Sequence, residues 1–256
     1  MVRNKLLLGL LSALLAVPGA YAQTMPAGAA QQAANAVDPA SIQALKDMGA
    51  YLQTLKRLRA SVDLTGERVL ADGQKLQHTA TASLDVHRPN RVRAVMHSAR
   101  SHRELFYDGA TVTLFTPAQK YYSTVPFSGT LEELARKLEE KYGVEIPLSD
   151  LFTWGTPAAP VDTIESAMNA GQDFVDGDLC DHFAFRQRRI DWQVWIASGG
   201  KPLPRKIVVT YRGDDARPQS ISLIDWNLKP AFKDSEFKFV PPKGATKIEI
   251  VPVKSK

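Results

Sequence analysis

Cys180-Asp-His182 sets a thiol and an imidazole two residues apart, and on a strand that spacing puts both side chains on one face. Two chemistries use such a pair. An imidazole that takes the thiol proton makes a nucleophile, and a thiolate beside an imidazole can begin a metal site. Neighbours on one strand face point in parallel, however, at a separation too long for direct proton transfer. The other histidines, His78, His87, His97 and His102, supply no His-Glu-x-x-His pattern or third close ligand, and Cys180 is the only cysteine. The pair therefore reads as lining a sheet.

Other reactive groups are as sparse. Glu132-Glu133 and Glu139-Glu140 fall on an exposed helix face and Asp214-Asp215 in a turn, where solvation explains them. No Gly-x-Ser-x-Gly elbow and no phosphate-binding glycine loop occurs. Arg186, Arg188 and Arg189 beside Phe183 and Phe185 have the composition of a single-strand nucleic-acid surface, but read as a hairpin tip in solvent. No motif asks for a cofactor, a metal or a catalytic residue.

What stands out instead is aromatic. Trp192, Trp195 and Trp226 with Phe183, Phe185 and Tyr211 form the largest concentration, and Val194, Leu114 and Tyr122 join them as candidate cavity residues. These nine residues read either as ordinary core or as the wall of a hydrophobic cavity, since aromatics give large apolar area at small entropic cost.

Strands and helices must position them. Trp192 to Tyr211 forms a hairpin: Trp192, Val194 and Ile196 alternate along one arm, Ile207, Val209 and Tyr211 along the other, with Gly199-Gly200 in the turn. Before it, Asp38 caps a helix that begins at Pro39 and carries Ile42, Leu45, Met48, Leu52 and Leu55 on one stripe. The period changes to two from Leu58, giving a long hairpin around Asp72-Gly73 and a meander through Arg91–Met96, Arg103–Tyr107, Thr111–Phe115 and Tyr121–Val125.

Thr130-Leu-Glu-Glu133 is a capping box for a helix with Leu131, Leu134, Ala135, Leu138 and Tyr142 on its buried stripe and Gly143 at its end. A short helical piece follows around Leu148–Phe152, and Asp162 is placed to cap another containing Ile164, Ala167 and Met168. Strands then return at Gln172–Val175, Leu179–Arg186, the hairpin and Gln219–Trp226, with a short edge strand at Phe237–Phe239.

Arg3 and Lys5 precede a short apolar run from Leu6 to Val17, followed by Pro18-Gly19 and small residues at Ala20 and Ala22. This is a secretory signal peptide cut after Ala22, too short to span a bilayer. Residues 23–37 read as a flexible Ala- and Gln-rich leader and residues 38–256 as a single domain. No cysteine near the cleavage point can accept a lipid anchor, so the expected product is free in the periplasm. One cysteine excludes an internal disulfide. The formal charge of +5 falls by two with Arg3 and Lys5, too small an excess to argue for nucleic acid.

Tyr107-Asp-Gly-Ala-Thr-Val-Thr-Leu-Phe115, Lys141-Tyr-Gly-Val-Glu-Ile-Pro-Leu148, Asp191-Trp-Gln-Val-Trp-Ile196, Pro202-Leu-Pro-Arg-Lys-Ile-Val-Val-Thr-Tyr211 and Phe239-Val-Pro-Pro-Lys-Gly-Ala245 resemble predicted periplasmic proteins of unknown function. That family is related to the bacterial lipoprotein carriers and receptors, the LolA/LolB-like proteins. The resemblance implies a half-barrel with helices plugging its open side and a cavity able to shelter acyl chains; it transfers no functional residue.

The expected fold is α+β: one strongly curved antiparallel sheet of about nine to eleven strands, with helices over its concave face. The expected function is binding of a lipid, an acyl chain of a lipoprotein or another hydrophobic ligand, as carrier or sensor. The competing reading is an envelope protein-protein interaction module without ligand. A thiol enzyme would require a depressed Cys180 pKa.

Overall fold

The computed structural model describes residues 36–253, so the signal peptide and all but the end of the leader lie outside the described residues. Twelve strands form one open sheet that does not close into a barrel. Two meanders of nearest-neighbour hairpins build it. The first runs β1 (Arg57–Val69), β2 (Lys75–His87), β3 (Arg91–Ser98), β4 (Ser101–Tyr107), β5 (Thr111–Thr116) and β6 (Tyr121–Pro126). The second runs β7 (Ile164–Val175), β8 (Asp178–Gln187), β9 (Ile190–Ala197), β10 (Pro204–Tyr211) and β11 (Gln219–Asn227). Antiparallel pairing of β1 with β11 joins them, with Ala60 opposite Trp226 and Val62 opposite Ile224.

Residues directly opposite in an antiparallel ladder share a face, so the register assigns each side chain a side. Leu58, Val86, Val92, Tyr107 and Val112 follow one another across five strands on one face. Ile207, Val194 and Phe183 continue that face across β10, β9 and β8. Two α-helices among the described residues cover it, α1 (Pro39–Thr54) and α2 (Leu131–Tyr142).

Local chemistry starts and stops both helices. The Asp38 carboxylate accepts hydrogen bonds from the Ala40 and Ser41 N–H groups at the start of α1, ahead of Pro39. Thr130 and Glu133 form the capping box of α2, and Gly143 ends it at φ 62°. Tyr107 fixes the loop before α2: its buried hydroxyl donates to the Gly129 carbonyl at 2.6 Å and accepts from the Gly129 N–H at 3.1 Å.

Two expected elements are different. The helix expected after Asp162 is a 3-10 turn at Val161–Thr163 running into β7. The register between β7 and β8 shifts between Ile164 and Ser166, so a bulge puts Ile164 and Ala167 on one side and imitates the three-residue spacing of a helix. Met168 is exposed. The expected Phe237–Phe239 edge strand is instead a 3-10 turn at Asp234–Phe237 followed by chain that pairs with no strand until Thr246. Pro241 and Pro242 supply no ladder donors, and the Phe rings take their places on the face away from the helices. Phe239 lies against Phe106, Phe115 and Tyr122 at centroid distances of 5.4, 5.2 and 5.0 Å. The true edge strand is β12 (Thr246–Lys247), which pairs with β6 in parallel.

Asp234 latches this tail, drawing in Arg57, His87 and Arg91 from β1 to β3. The Arg91 hydrogen bond leads the causes that hold its carboxyl below the ordinary value of 3.8. A lowered folded-state pKa stabilises the fold above the ordinary value, and the contribution disappears as pH falls through the folded one. Asp234→Asn should therefore lower the melting temperature at neutral pH. The difference from wild type should shrink as pH falls below 3.8; a difference unchanged at low pH would refute the latch.

Candidate hydrophobic-ligand site

The helix-covered face carries two packed clusters. One joins α2, through Leu131, Leu134 and Leu138, to the inward residues of β1–β5 and Ile224 of β11. The other joins α1, through Leu45, Met48 and Leu52, to Phe183, Phe185, Trp192 and Val194. Trp192 stacks on Phe185 at 4.4 Å and meets Trp154 at 5.8 Å, while its Nε1 donates to Gln187 Oε1 at 2.8 Å.

Helix α1 also touches the segment after α2, backbone against backbone. A Cβ on Gly49 would lie 2.8 Å from the Trp154 carbonyl carbon and closer still to the Gly155 amide nitrogen. Gly155 has φ +84°, a conformation that favours glycine. The Gln53 amide donates to the Trp154 carbonyl at 2.7 Å and the Phe152 carbonyl at 3.2 Å. Just before the helix the Asp38 N–H donates to the Ala167 carbonyl at 3.0 Å and the Ala167 N–H to the Ala36 carbonyl at 3.1 Å; α1 itself rests on the sheet through apolar contacts.

Leu55, Leu148, Ile207 and Trp226 belong to the edges of both clusters, and all four are only partly buried. Leu55 follows α1, Leu148 lies in the connection after α2, and Ile207 and Trp226 come from the sheet near the β1–β11 junction. They mark a seam where the two packed regions meet without filling the surface between them. Trp226, held by an Nε1 hydrogen bond to the Pro204 carbonyl at 2.8 Å, also lines an open crevice of about 900 Å³ at the strand ends. Leu179, Ala197, Leu203 and Leu228 supply apolar lining, and Lys201, Lys229 and Arg205 supply charge. A smaller crevice of about 70 Å³ lies between Val144–Pro147 and β3–β5, with Leu114 in its wall.

The nine residues singled out from sequence divide accordingly. Phe183, Phe185, Trp192 and Val194 pack under α1, Trp226 stands at the seam, and Leu114 borders the cluster under α2. Trp195 is on the opposite face, where its ring stacks on His182 at 4.0 Å and Lys206 Nζ lies 4.5 Å from its centroid. Tyr122 is on that face too, against Phe239. Tyr211 is exposed and receives the Arg189 guanidinium at 5.2 Å. Leu55, Leu148 and Ile207 are seam residues outside the original nine. Leu55 ends the helical stripe and Ile207 begins the strand alternation already noted, but only tertiary packing brings them to Leu148.

Cys180 and His182 share the face away from the helices, yet the thiol is buried with Val175, Trp195 and Val208. Burial pushes the Cys180 thiol pKa up, the reverse of what a nucleophile needs. Folded protein should react with a thiol reagent at least about a hundredfold more slowly than protein in denaturant. Comparable rates would show that this site opens. Among the described residues no group of three or more His, Cys, Asp or Glu is placed to hold a metal.

An open sheet with one apolar face under two helices defines a half-barrel class of protein. Over residues 41–251 the chain matches the family described as predicted periplasmic protein (DUF2092), and it belongs to that family. Among solved structures it is similar to lipoprotein LppX of Mycobacterium tuberculosis, at 15% identity and a TM-score of 0.46, covering 76% of this chain and 98% of that one. An uncharacterised conserved protein from Thermus thermophilus is similar at 10% identity and 0.48, covering 82% and 99%. A LolA superfamily protein from Nitrosomonas europaea is similar at 9% and 0.36, covering 78% and 97%. Comparison with curated proteins gives no match. No helix among the described residues is long and apolar enough to cross a membrane.

Proposed function

We propose that the protein is exported to the periplasm, loses its signal peptide after Ala22, and binds the hydrocarbon chain of a lipid or acylated molecule at the seam under its helices. One observation carries this reading: Leu55, Leu148, Ile207 and Trp226 touch both clusters, remain partly exposed, and lead through Trp226 to the crevice. Each buried methylene of a guest contributes about 0.8 kcal/mol, so a chain is held without a dense polar motif. The packed residues Phe183, Phe185, Trp192 and Val194 form the wall that α1 covers, and Leu114 the wall beneath Val144–Pro147. Movement of α1 over its apolar contacts would enlarge the seam. The reading assigns no catalytic residue.

Native mass spectrometry of the mature protein, supplied with phospholipids and acylated peptides, provides the test. Bound lipid is expected, and brominated chains should quench wild-type fluorescence more than that of Trp226→Phe. Protein that stays empty with every lipid would sink the reading. A protein-interaction role without ligand has its own supporting observation, the uncovered edge of β7, where residues 168–174 are exposed and Phe174 is 75% accessible. Capture of a discrete envelope protein by lipid-stripped chain, lost on Phe174→Asp, would favour that alternative.

A further inference from the structure

The lipid-binding reading leaves the head of the ligand undefined, and the crevice beside Trp226 constrains it. Its apolar lining reaches the cluster under α1 through Leu203 and the seam through Trp226. Its charged lining is unequal. Lys201 in the β9–β10 turn and Lys229 just beyond β11 have no ion-pair partner among the described residues. The acidic side chain that shares the lining, Asp178, is engaged by Arg205 at 3.0 Å, and Arg205 also reaches Asp225 at 3.2 Å. Arg205 is fixed by those two bonds with its side chain 13% exposed, and its buried Nε makes no hydrogen bond. The crevice thus combines apolar lining with two uncommitted ammonium groups, beside a guanidinium already engaged by Asp178 and Asp225.

We infer that the bound molecule carries an anionic head, a carboxylate or phosphate, that sits between Lys201 and Lys229 while its hydrocarbon chain follows Trp226 into the seam. This rests on the lipid-binding reading and adds head-group selectivity to it. An acceptor-only group suits two ammonium donors, and a neutral hydroxyl head gains no Coulomb attraction there. The lysines are exposed, so the selectivity falls with salt.

The test uses delipidated mature protein loaded with N-phenyl-1-naphthylamine, an uncharged fluorescent probe, displaced by palmitate or by hexadecanol, which has the same chain length with a hydroxyl head. Palmitate should displace the probe about tenfold more effectively at low salt, and the ratio should fall toward one in about 0.5 M NaCl. Lys201→Gln with Lys229→Gln should bring the low-salt ratio close to one while leaving hexadecanol unchanged; both side chains are exposed, and an unaltered melting temperature verifies the fold. Glycerol 3-phosphate, the same kind of charge without a chain, should not compete. Equal displacement by palmitate and hexadecanol in wild type overturns the anionic head and leaves the lipid reading standing. Failure of both to displace the probe, or of the probe to bind, overturns both. Competition by glycerol 3-phosphate as strong as by palmitate overturns the lipid source, and an equal loss of both compounds in the lysine variant overturns the role of these lysines.

Discussion

Gly49→Ala is expected to destabilise the protein by about 2–3 kcal/mol, although the same change in an open helix is stabilising by about 1 kcal/mol. The reversal comes from the partner. A Cβ at this position meets the backbone of Trp154 and Gly155, which cannot swing aside as the tip of a side chain does. Relief requires α1 to lift from the 149–155 segment, separating the Gln53 amide from the Phe152 and Trp154 carbonyls and loosening Leu45, Met48 and Leu52 from the sheet. For a chain of this size each kcal/mol corresponds to roughly 2–4 °C, so the melting temperature should fall by about 4–12 °C. Urea unfolding gives the same quantity independently. A variant more stable than wild type would show that the helix does not dock on this turn.

A larger loss, about 3–5 kcal/mol, is expected for Trp192→Ala, measured as a shift in the urea midpoint at unchanged slope. Trp192 is in the cluster that α1 covers, stacked on Phe185 and in contact with Trp154, so truncation opens a void bounded by three elements. Its indole nitrogen also satisfies Gln187 Oε1. Trp192→Phe retains most of the ring contact and loses that bond, and should cost about 1–2 kcal/mol. If Trp192→Ala cost no more than Trp192→Phe, the void would have collapsed and the wall could not be rigid.

Local chemistry was legible in the sequence, and long-range pairing was not. The Thr130–Glu133 capping box, Asp38 ahead of Pro39, and the alternation from Trp192 to Ile196 determine their elements by contacts within a few residues. Ile164 and Ala167 misled because a bulge delivers helical spacing on a strand. The Phe239 ring misled because its partners, Phe106, Phe115 and Tyr122, come from three distant strands. Parity alone separated Trp192 from Trp195 without naming the helix-covered side; the register from Val194 to Ile207 and Phe183 identifies it. The seam was least legible, since Leu55, Leu148 and Ile207 acquire their meaning only when two packed regions come together.

The β1–β11 ladder has a consequence for the order in which the molecule assembles. Within each meander the strands pair with their sequence neighbours, hairpins of a kind that close on the microsecond scale. Pairing Arg59 with Asn227 must instead bring together residues from opposite ends of the described chain, and the loop entropy of that closure is unrewarded until the ladder forms. Of the ladders between the two meanders this is the one that joins them, and refolding should be limited by the joining of two halves more than by the closure of any one hairpin. The same boundary lies beneath Trp226 and Ile207, so the place proposed to admit a guest is also where the chain's two locally assembled halves are joined.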